Sequence, residues 1–80
     1  MTEIIPLSDL MPGSKAIITG LCAEGGMRRR LQDLGFVEGS EVDCVNISPL
    51  GDPTAYRISS TIIALRREDA DTIKVKITPS

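Results

Sequence analysis

The sequence contains no histidine and no tryptophan. Histidine is the side chain that most often serves as a general base and most often binds metal ions, so its absence removes the commonest general base and the commonest metal ligand together. The only cysteines, Cys22 and Cys44, do not form a C-x-x-C pair. Carboxylates could add to two thiols in a zinc site, but no residues in the sequence have the spacing of zinc ligands. We therefore expect a protein that is not an enzyme and that has no catalytic residues, no metal site and no cofactor.

Aromatic side chains are almost absent as well. Phe36 and Tyr56 are the only two, whereas surfaces that stack bases or grip proline-rich peptides are built from several aromatic rings. The formal net charge of −2 also argues against nucleic-acid binding, because proteins dedicated to it usually carry a basic excess. We expect no nucleic-acid partner, but a small barrel that binds nucleic acid through Arg28–Arg30, Lys74 and Lys76 remains an alternative.

No apolar run approaches the ~20 residues that span a bilayer, and the sequence shows no signal peptide. The two thiols are expected to be free and mostly buried, as in cytoplasmic proteins. A length of 80 residues suits one small domain, which we place over residues 1–80. The predicted location is the cytoplasm.

Short β-branched segments bounded by turn-forming residues predict a mostly β fold. The predicted strands are Lys15–Leu21, Glu41–Ile47, Ala55–Ser59, Ser60–Leu65 and a last strand from Ile73 to Ile77. A change of alternation near Val45 predicts a bulge, and Gly20 predicts a bend or bulge. A small SH3-like barrel of about five antiparallel strands would bury both faces of these strands and remove open sheet edges, so this is the predicted arrangement. One α-helix is inserted after the first strand, and a short helical turn precedes the last.

The predicted helix begins near Gly25. Met27, Leu31 and Leu34 fall at i, i+4 and i+7, which places them on one helical face. Gly35 is suited to the left-handed position that ends a helix, and Phe36 is expected to pack back against Leu31.

Three consecutive arginines, Arg28 to Arg30, lie in the first turns of this helix, where the helix dipole disfavours positive charge. They could pair locally, Arg28 with Glu24 and Arg29 with Asp33. They could also contact nucleic acid or a partner protein, since the guanidinium group binds carboxylates with two parallel hydrogen bonds. Adjacent residues on a helix point in different directions, so we expect at least one arginine to be structural.

Three blocks of the sequence, in order and spacing, resemble the ferrous iron transport protein A (FeoA) family. The first is the helix with its glycine stop, Met27–Gly39, and the second is the turn Pro49–Pro53. The third is Ile63–Ala70, followed by Ile73–Val75. The chain departs from the family pattern at Ser59–Thr61, where many relatives carry a glycine, so the backbone is expected to differ there.

The resemblance implies an accessory or regulatory protein of bacterial ferrous iron uptake with an SH3-like barrel. Its implied partner is the cytoplasmic GTP-binding domain of the membrane transporter FeoB, which would bring the protein to the inner membrane face. A related barrel forms the C-terminal domain of iron-dependent repressors of the diphtheria toxin repressor type. A stand-alone relative of that domain is therefore a second alternative.

The resemblance and the exposed polar pattern together predict two sets of residues. Residues expected to contact the partner are Arg28, Arg29, Arg30, Gln32, Asp33, Leu50 and Asp52. Residues expected to maintain the helix and the turns after it are Met27, Leu31, Leu34, Gly35, Phe36 and Gly39. An exposed strand edge, or the apolar Leu50 on its loop, could also support weak self-association.

Overall fold

A computed structural model of the protein describes residues 3–78. The ends of the predicted domain, residues 1–2 and 79–80, lie outside the described residues. The elements, in chain order, are β1 (Ile4–Pro6), a 3₁₀ helix (Leu7–Asp9), β2 (Lys15–Leu21), α1 (Gly25–Asp33), β3 (Glu41–Ile47), β4 (Thr54–Ile58), β5 (Thr61–Leu65), α2 (Arg67–Ala70) and β6 (Ile73–Ile77).

The strands form one six-stranded sheet in the order β1-β6-β2-β3-β4-β5, and every neighbouring pair is antiparallel. The mostly β architecture agrees with the prediction, with one strand more than the five expected. The additional strand is β1, in which Pro6 lies opposite Lys74. Proline has no N–H to donate, so it is tolerated at a sheet edge, which is where β1 lies.

The two predicted irregularities are present. The pairing of β3 with β4 shifts between Cys44 and Asn46, which leaves Val45 as the bulged residue. The pairing of β2 with β6 shifts between Ile18 and Gly20. Bulges increase the local twist of a strand, and here they lie where the sheet curls around its core.

The core lies on the concave side of this sheet and includes both aromatic residues. Phe36 is fully buried and Tyr56 is 1% exposed. The Tyr56 hydroxyl donates a hydrogen bond to the carbonyl oxygen of Leu7, at 3.4 Å. Ala70 of the predicted helical turn is fully buried. Apart from the Tyr56 hydroxyl and the Cys44 thiol, no polar or charged side-chain group is buried among the described residues, so the core is held together mainly by apolar packing.

The turn between β4 and β5 adopts a backbone that is unusual for its sequence. Its two residues, Ser59 and Ser60, have φ values of +51° and +66°. A two-residue hairpin of this type requires positive φ at both positions, and glycine and asparagine are the residues that adopt it readily. The departure from the family pattern at these serines therefore leaves two non-glycine residues in a left-handed conformation.

We expect Ser60→Gly to raise the free energy of unfolding by about 1 kcal/mol, because glycine removes the cost of the left-handed conformation. Equilibrium urea unfolding measures the change. The matched control is Ser14→Gly, because Ser14 is not among the described non-glycine residues with positive φ. There the added chain entropy should lower stability. A destabilising effect of Ser60→Gly would contradict this interpretation of the turn.

Candidate partner-binding surface on helix α1

Helix α1 begins directly after Glu24, whose backbone is extended and whose side chain makes no capping hydrogen bond. It ends in a hydrogen-bonding pattern that uses two successive backbone amides. The Gly35 N–H donates to the carbonyl of Gln32, and the Phe36 N–H donates to the carbonyl of Leu31, both at 3.0 Å. This is the Schellman arrangement, in which a residue of positive φ ends the helix and the next one returns toward the core.

Gly35 has a φ of +109°, and its Cα lies close to the β4–β5 hairpin. A Cβ at this position would lie 3.3 Å from Ser59 Oγ and 3.4 Å from Ile58 Cγ1. The end of α1 is therefore packed directly on the hairpin. A side chain larger than hydrogen at this position would meet the hairpin.

The predicted structural residues differ in how deeply they are buried. Leu31 is 1% exposed and Phe36 is fully buried, while Met27 is partly buried against the same core. Leu34, the last residue of the apolar stripe, is 36% exposed. Gly39 has a φ of +92° in the turn before β3. Leu34 thus lies at the boundary between the core and the surface.

Arg28 has a structural contact that its two neighbours do not share. Its Nη1 atom donates a hydrogen bond to the carbonyl oxygen of Leu21 at 2.9 Å, which ties α1 to the end of β2. This agrees with the prediction that at least one of the three arginines is structural. Arg29 and Arg30 are exposed.

The local ion pairs considered from the sequence are not formed. Within residues 3–78, the one ion pair within 4 Å joins Arg57 Nη1 to Asp43 Oδ2 at 3.5 Å, on the outer face of the sheet. The pairs of Arg28 with Glu24 and of Arg29 with Asp33 are absent from that range. The exposed arginines of α1 thus remain available to an external carboxylate.

Arg30 shares a helical face with Asp33 and Leu34, which follow it by three and four residues. Val37, just past the helix stop, is 39% exposed. We define the α1 surface as the exposed residues along this helix and its stop: Arg29, Arg30, Gln32, Asp33, Leu34 and Val37. It combines arginine with apolar side chains, a composition that is enriched at protein interfaces. Val37 is not among the residues predicted from the sequence to contact a partner, although its apolar side chain two residues after Gly35 is a usable signal.

Leu50 and Asp52 lie on a different part of the molecule. Leu50 is 93% exposed at the tip of the β3–β4 loop. The Asp52 carboxylate accepts a hydrogen bond from the backbone N–H of Arg67 at 2.8 Å, so it caps the start of α2. This loop and α1 lie at opposite ends of β3, whose seven residues span roughly 20 Å. The structure therefore divides the predicted partner-binding residues into two separate surfaces.

Both cysteines are free, as expected, but Cys22 is exposed and only Cys44 is buried. Cys22 follows β2 directly, outside the core that the strand helps to form. Over the described part of the chain, no three acidic or cysteine side chains come together as a candidate metal site. None of the helices in that part is long and apolar enough to cross a membrane.

The FeoA domain model matches residues 5–77 of the chain. The chain belongs to the FeoA family. It is 40% identical over 74 residues to a fusion of Fe(2+) transport protein A with the Fe(2+) transporter FeoB in Porphyromonas gingivalis. The match covers 92% of this chain but only 9% of the fusion protein.

Solved structures of FeoA proteins share the fold. Iron(II) transport protein A from Clostridium thermocellum is 40% identical, with a TM-score of 0.88 over 91% of this chain and 45% of its own. FeoA from Stenotrophomonas maltophilia, solved with zinc and described as an SH3 domain protein, is 34% identical with a TM-score of 0.77. That match covers 94% of this chain and 88% of the relative. The predicted SH3-like fold is confirmed.

The likeness to metal-dependent repressors concerns the fold alone. A manganese-dependent transcriptional repressor matches 98% of this chain with a TM-score of 0.85, but only 16% of the residues are identical. The match covers 44% of the repressor chain. The FeoA family, which serves ferrous iron transport, is the assignment that both sequence and structure support.

Proposed function

We propose that this protein is a non-enzymatic accessory module of ferrous iron uptake that binds the cytoplasmic GTP-binding domain of a FeoB-type transporter. The observation that carries the proposal is the Porphyromonas gingivalis relative, in which an FeoA sequence and a FeoB transporter form one polypeptide. Joining two domains in one chain raises their effective concentration, to about millimolar for a short flexible linker. Such a fusion is useful to the cell when the two domains act on each other.

The α1 surface is the contact site that the geometry supports best. Arg29 and Arg30 are exposed and make no ion pair among the described residues, so each can bind a carboxylate of a partner without first breaking a bond. Leu34 and Val37 supply the apolar area beside them. Arg28 hydrogen-bonds the helix to the end of β2, and the Schellman arrangement ends it at Gly35, so both ends of the helix have defined contacts before binding.

Location follows from this partner. The protein would work in the cytoplasm and be held at the inner membrane face by the transporter. Leu50 and Asp52 would lie outside the contact made by the α1 surface, and the capping role of Asp52 explains that residue without a partner.

The test is a nuclear magnetic resonance titration of the ¹⁵N-labelled protein with the GTP-binding domain of FeoB, in its GDP and GTP-analogue states. We expect the amide shifts of the α1 surface to change first. Arg30→Glu should weaken binding at least about tenfold, because it replaces attraction to a partner carboxylate by repulsion. A matched control is Arg66→Glu, which makes the same charge change at an exposed position near the other end of the barrel.

Equal weakening by both variants would show that net charge rather than the α1 surface controls binding. Amide chemical-shift changes centred on Leu50 would show instead that the partner binds at the opposite end of the molecule. Binding that is absent in every nucleotide state, and also with the full-length transporter, would overturn the proposed function.

A further inference from the structure

The two edges of the sheet are protected very differently. The β1 edge is three residues long and ends in Pro6, which cannot donate a hydrogen bond to an added strand. The β5 edge, Thr61 to Leu65, has no charged residue, no proline and no glycine. Natural proteins usually block an edge of this kind with lysine, proline or a bulge, because an open edge pairs readily with another strand.

The backbone groups that β5 presents to solvent can be assigned from the hairpin register. Ile58 lies opposite Thr61 and closes the two-residue turn, so these two residues form a hydrogen-bonded pair. The hydrogen-bonded pairs then recur at every second residue, at Ile63 and Leu65. The N–H and C=O groups of Ile62 and Ala64 therefore point away from β4. Within residues 3–78, no other segment accepts or donates a hydrogen bond to them.

The side chains at these two positions are also exposed. Ile62 lies on the outer face of the sheet, opposite Arg57, and is 57% exposed. Ala64 lies on the same face and is exposed as well. The edge therefore presents the backbone N–H and C=O groups of Ile62 and Ala64 without partners among the described residues. It also exposes the large side chain of Ile62 beside the small side chain of Ala64.

We infer that β5 is a self-association edge, through which two copies of the chain pair antiparallel about a twofold axis at Ile63. In this register Ile62 lies opposite Ala64 of the second copy, and the reverse pair forms by symmetry. The outward backbone groups of both copies then form hydrogen bonds with each other. Each isoleucine side chain packs beside an alanine, so the large and small side chains fit together on the outer face.

Charge favours a second copy over a charged peptide as the occupant. The segment from Thr61 to Leu65 is uncharged, so apposing it to itself brings no like charges together. The nearest free cation, Arg66, falls opposite Ser60 of the second copy in this register. Arg57 is already paired with Asp43. A partner strand rich in acidic residues would find no unpaired cation along the segment.

The association stops at two copies because the opposite edge is blocked. An isologous contact uses β5 of both copies and leaves only the two β1 edges at the ends of the joined sheet. Pro6 and the short length of β1 prevent further addition. A strand pair of this length is smaller than a standard interface of about 800 Å² per partner, so we expect a weak dimer that forms with rising concentration.

The test is amide hydrogen exchange and chemical shift of the full chain across a concentration series, with sedimentation to measure the dimer. With rising concentration, the amides of Ile62 and Ala64 should become protected, while those of Thr61 and Ile63, already bonded to β4, should not change. Ile62→Lys should weaken dimerisation at least about tenfold, because lysine is a residue that natural edges use to prevent pairing.

The matched control is Ile77→Lys, the same substitution at an isoleucine of 42% exposure on β6, which has a strand on each side. Dimerisation should be unchanged in this variant. Ala64→Pro is a second test: it removes an outward N–H while leaving the β4 hydrogen bonds in place, and it should abolish the dimer without unfolding the monomer.

A protein that stays monomeric throughout the series would overturn the inference. So would protection that appears on the α1 surface or at Leu50 instead of β5, or equal effects of the two lysine variants. A protein that stays monomeric, or equal effects of the two lysine variants, would leave the proposed FeoB contact on α1 untouched, so the two proposals can fail separately.

Discussion

Phe36→Ala is expected to lower the free energy of unfolding by about 3 to 5 kcal/mol, the usual cost of removing a fully buried phenylalanine ring. Phe36 has no exposed surface, and it is one of only two aromatic residues in the chain. A small domain has few other large side chains that could move into the resulting cavity. The loss is comparable with the whole stability of many small domains, about 5 to 15 kcal/mol.

The neighbouring residue provides the control for this prediction. Val37→Ala shortens a side chain that is 39% exposed, one position further along the chain. It should change stability by no more than about 1 kcal/mol. Urea unfolding followed by circular dichroism measures both variants. Similar losses in the two would mean that Phe36 does not have the buried position described for it.

Stability is expected to fall by about 2 kcal/mol as the pH rises from 10 to 12, because of Tyr56. Burial raises the pKa of Tyr56 from 10 to about 12, and the nearby Cys44 thiolate acts in the same direction. Over most of this pH range the unfolded chain has lost the tyrosine proton, whereas the folded protein keeps it until the pH approaches 12. The unfolded state then binds fewer protons, so the free energy of unfolding decreases as pH increases.

Tyr56→Phe tests the assignment of this alkaline loss. The variant should lose less stability over the same pH range than the wild type. At neutral pH its stability should change little, because the hydrogen bond from the hydroxyl to the Leu7 carbonyl is long, 3.4 Å. Some loss of stability at alkaline pH should remain in the variant, since burial and the adjacent Asp43 also raise the pKa of the Cys44 thiol. Unfolding curves at several alkaline pH values give the comparison. Identical pH dependence in both proteins would exclude Tyr56 as the cause.

Most of the fold could be predicted because the local patterns agree with the tertiary structure. The bounds of β2 and β3 were predicted as observed, since each is a β-branched run between turn-forming residues. The end of α1 was predicted from Gly35 and Phe36. The strand β1 was missed because Pro6 excludes a central strand, and the local sequence does not tell an edge from the middle of a sheet.

The candidate site was less predictable. Whether each of its side chains is bound within the fold or free to contact a partner depends on backbone groups that are distant in the sequence. The sequence indicated that one of the three arginines is structural. It could not identify Arg28, whose acceptor is the carbonyl of Leu21. The sequence also does not reveal that the carboxylate of Asp52, a predicted partner contact, accepts a hydrogen bond from the N–H of Arg67, 15 residues along the chain. Hydrogen bonds between a side chain and a distant backbone group cannot be predicted from the spacing of side chains in the sequence.

The position of β6 has a consequence for how the protein is made on the ribosome. β6, the last of these six strands along the chain, lies between β1 and β2 in the sheet. Ile18 and Ile5 therefore meet their cross-strand neighbour Val75 only when it emerges. Until then the nascent chain holds β2 with one side unpaired and β1 with no neighbour at all. The cooperative core therefore cannot close during synthesis of the first 72 residues, and the open side of β2 is the surface that a ribosome-associated chaperone would have to shield.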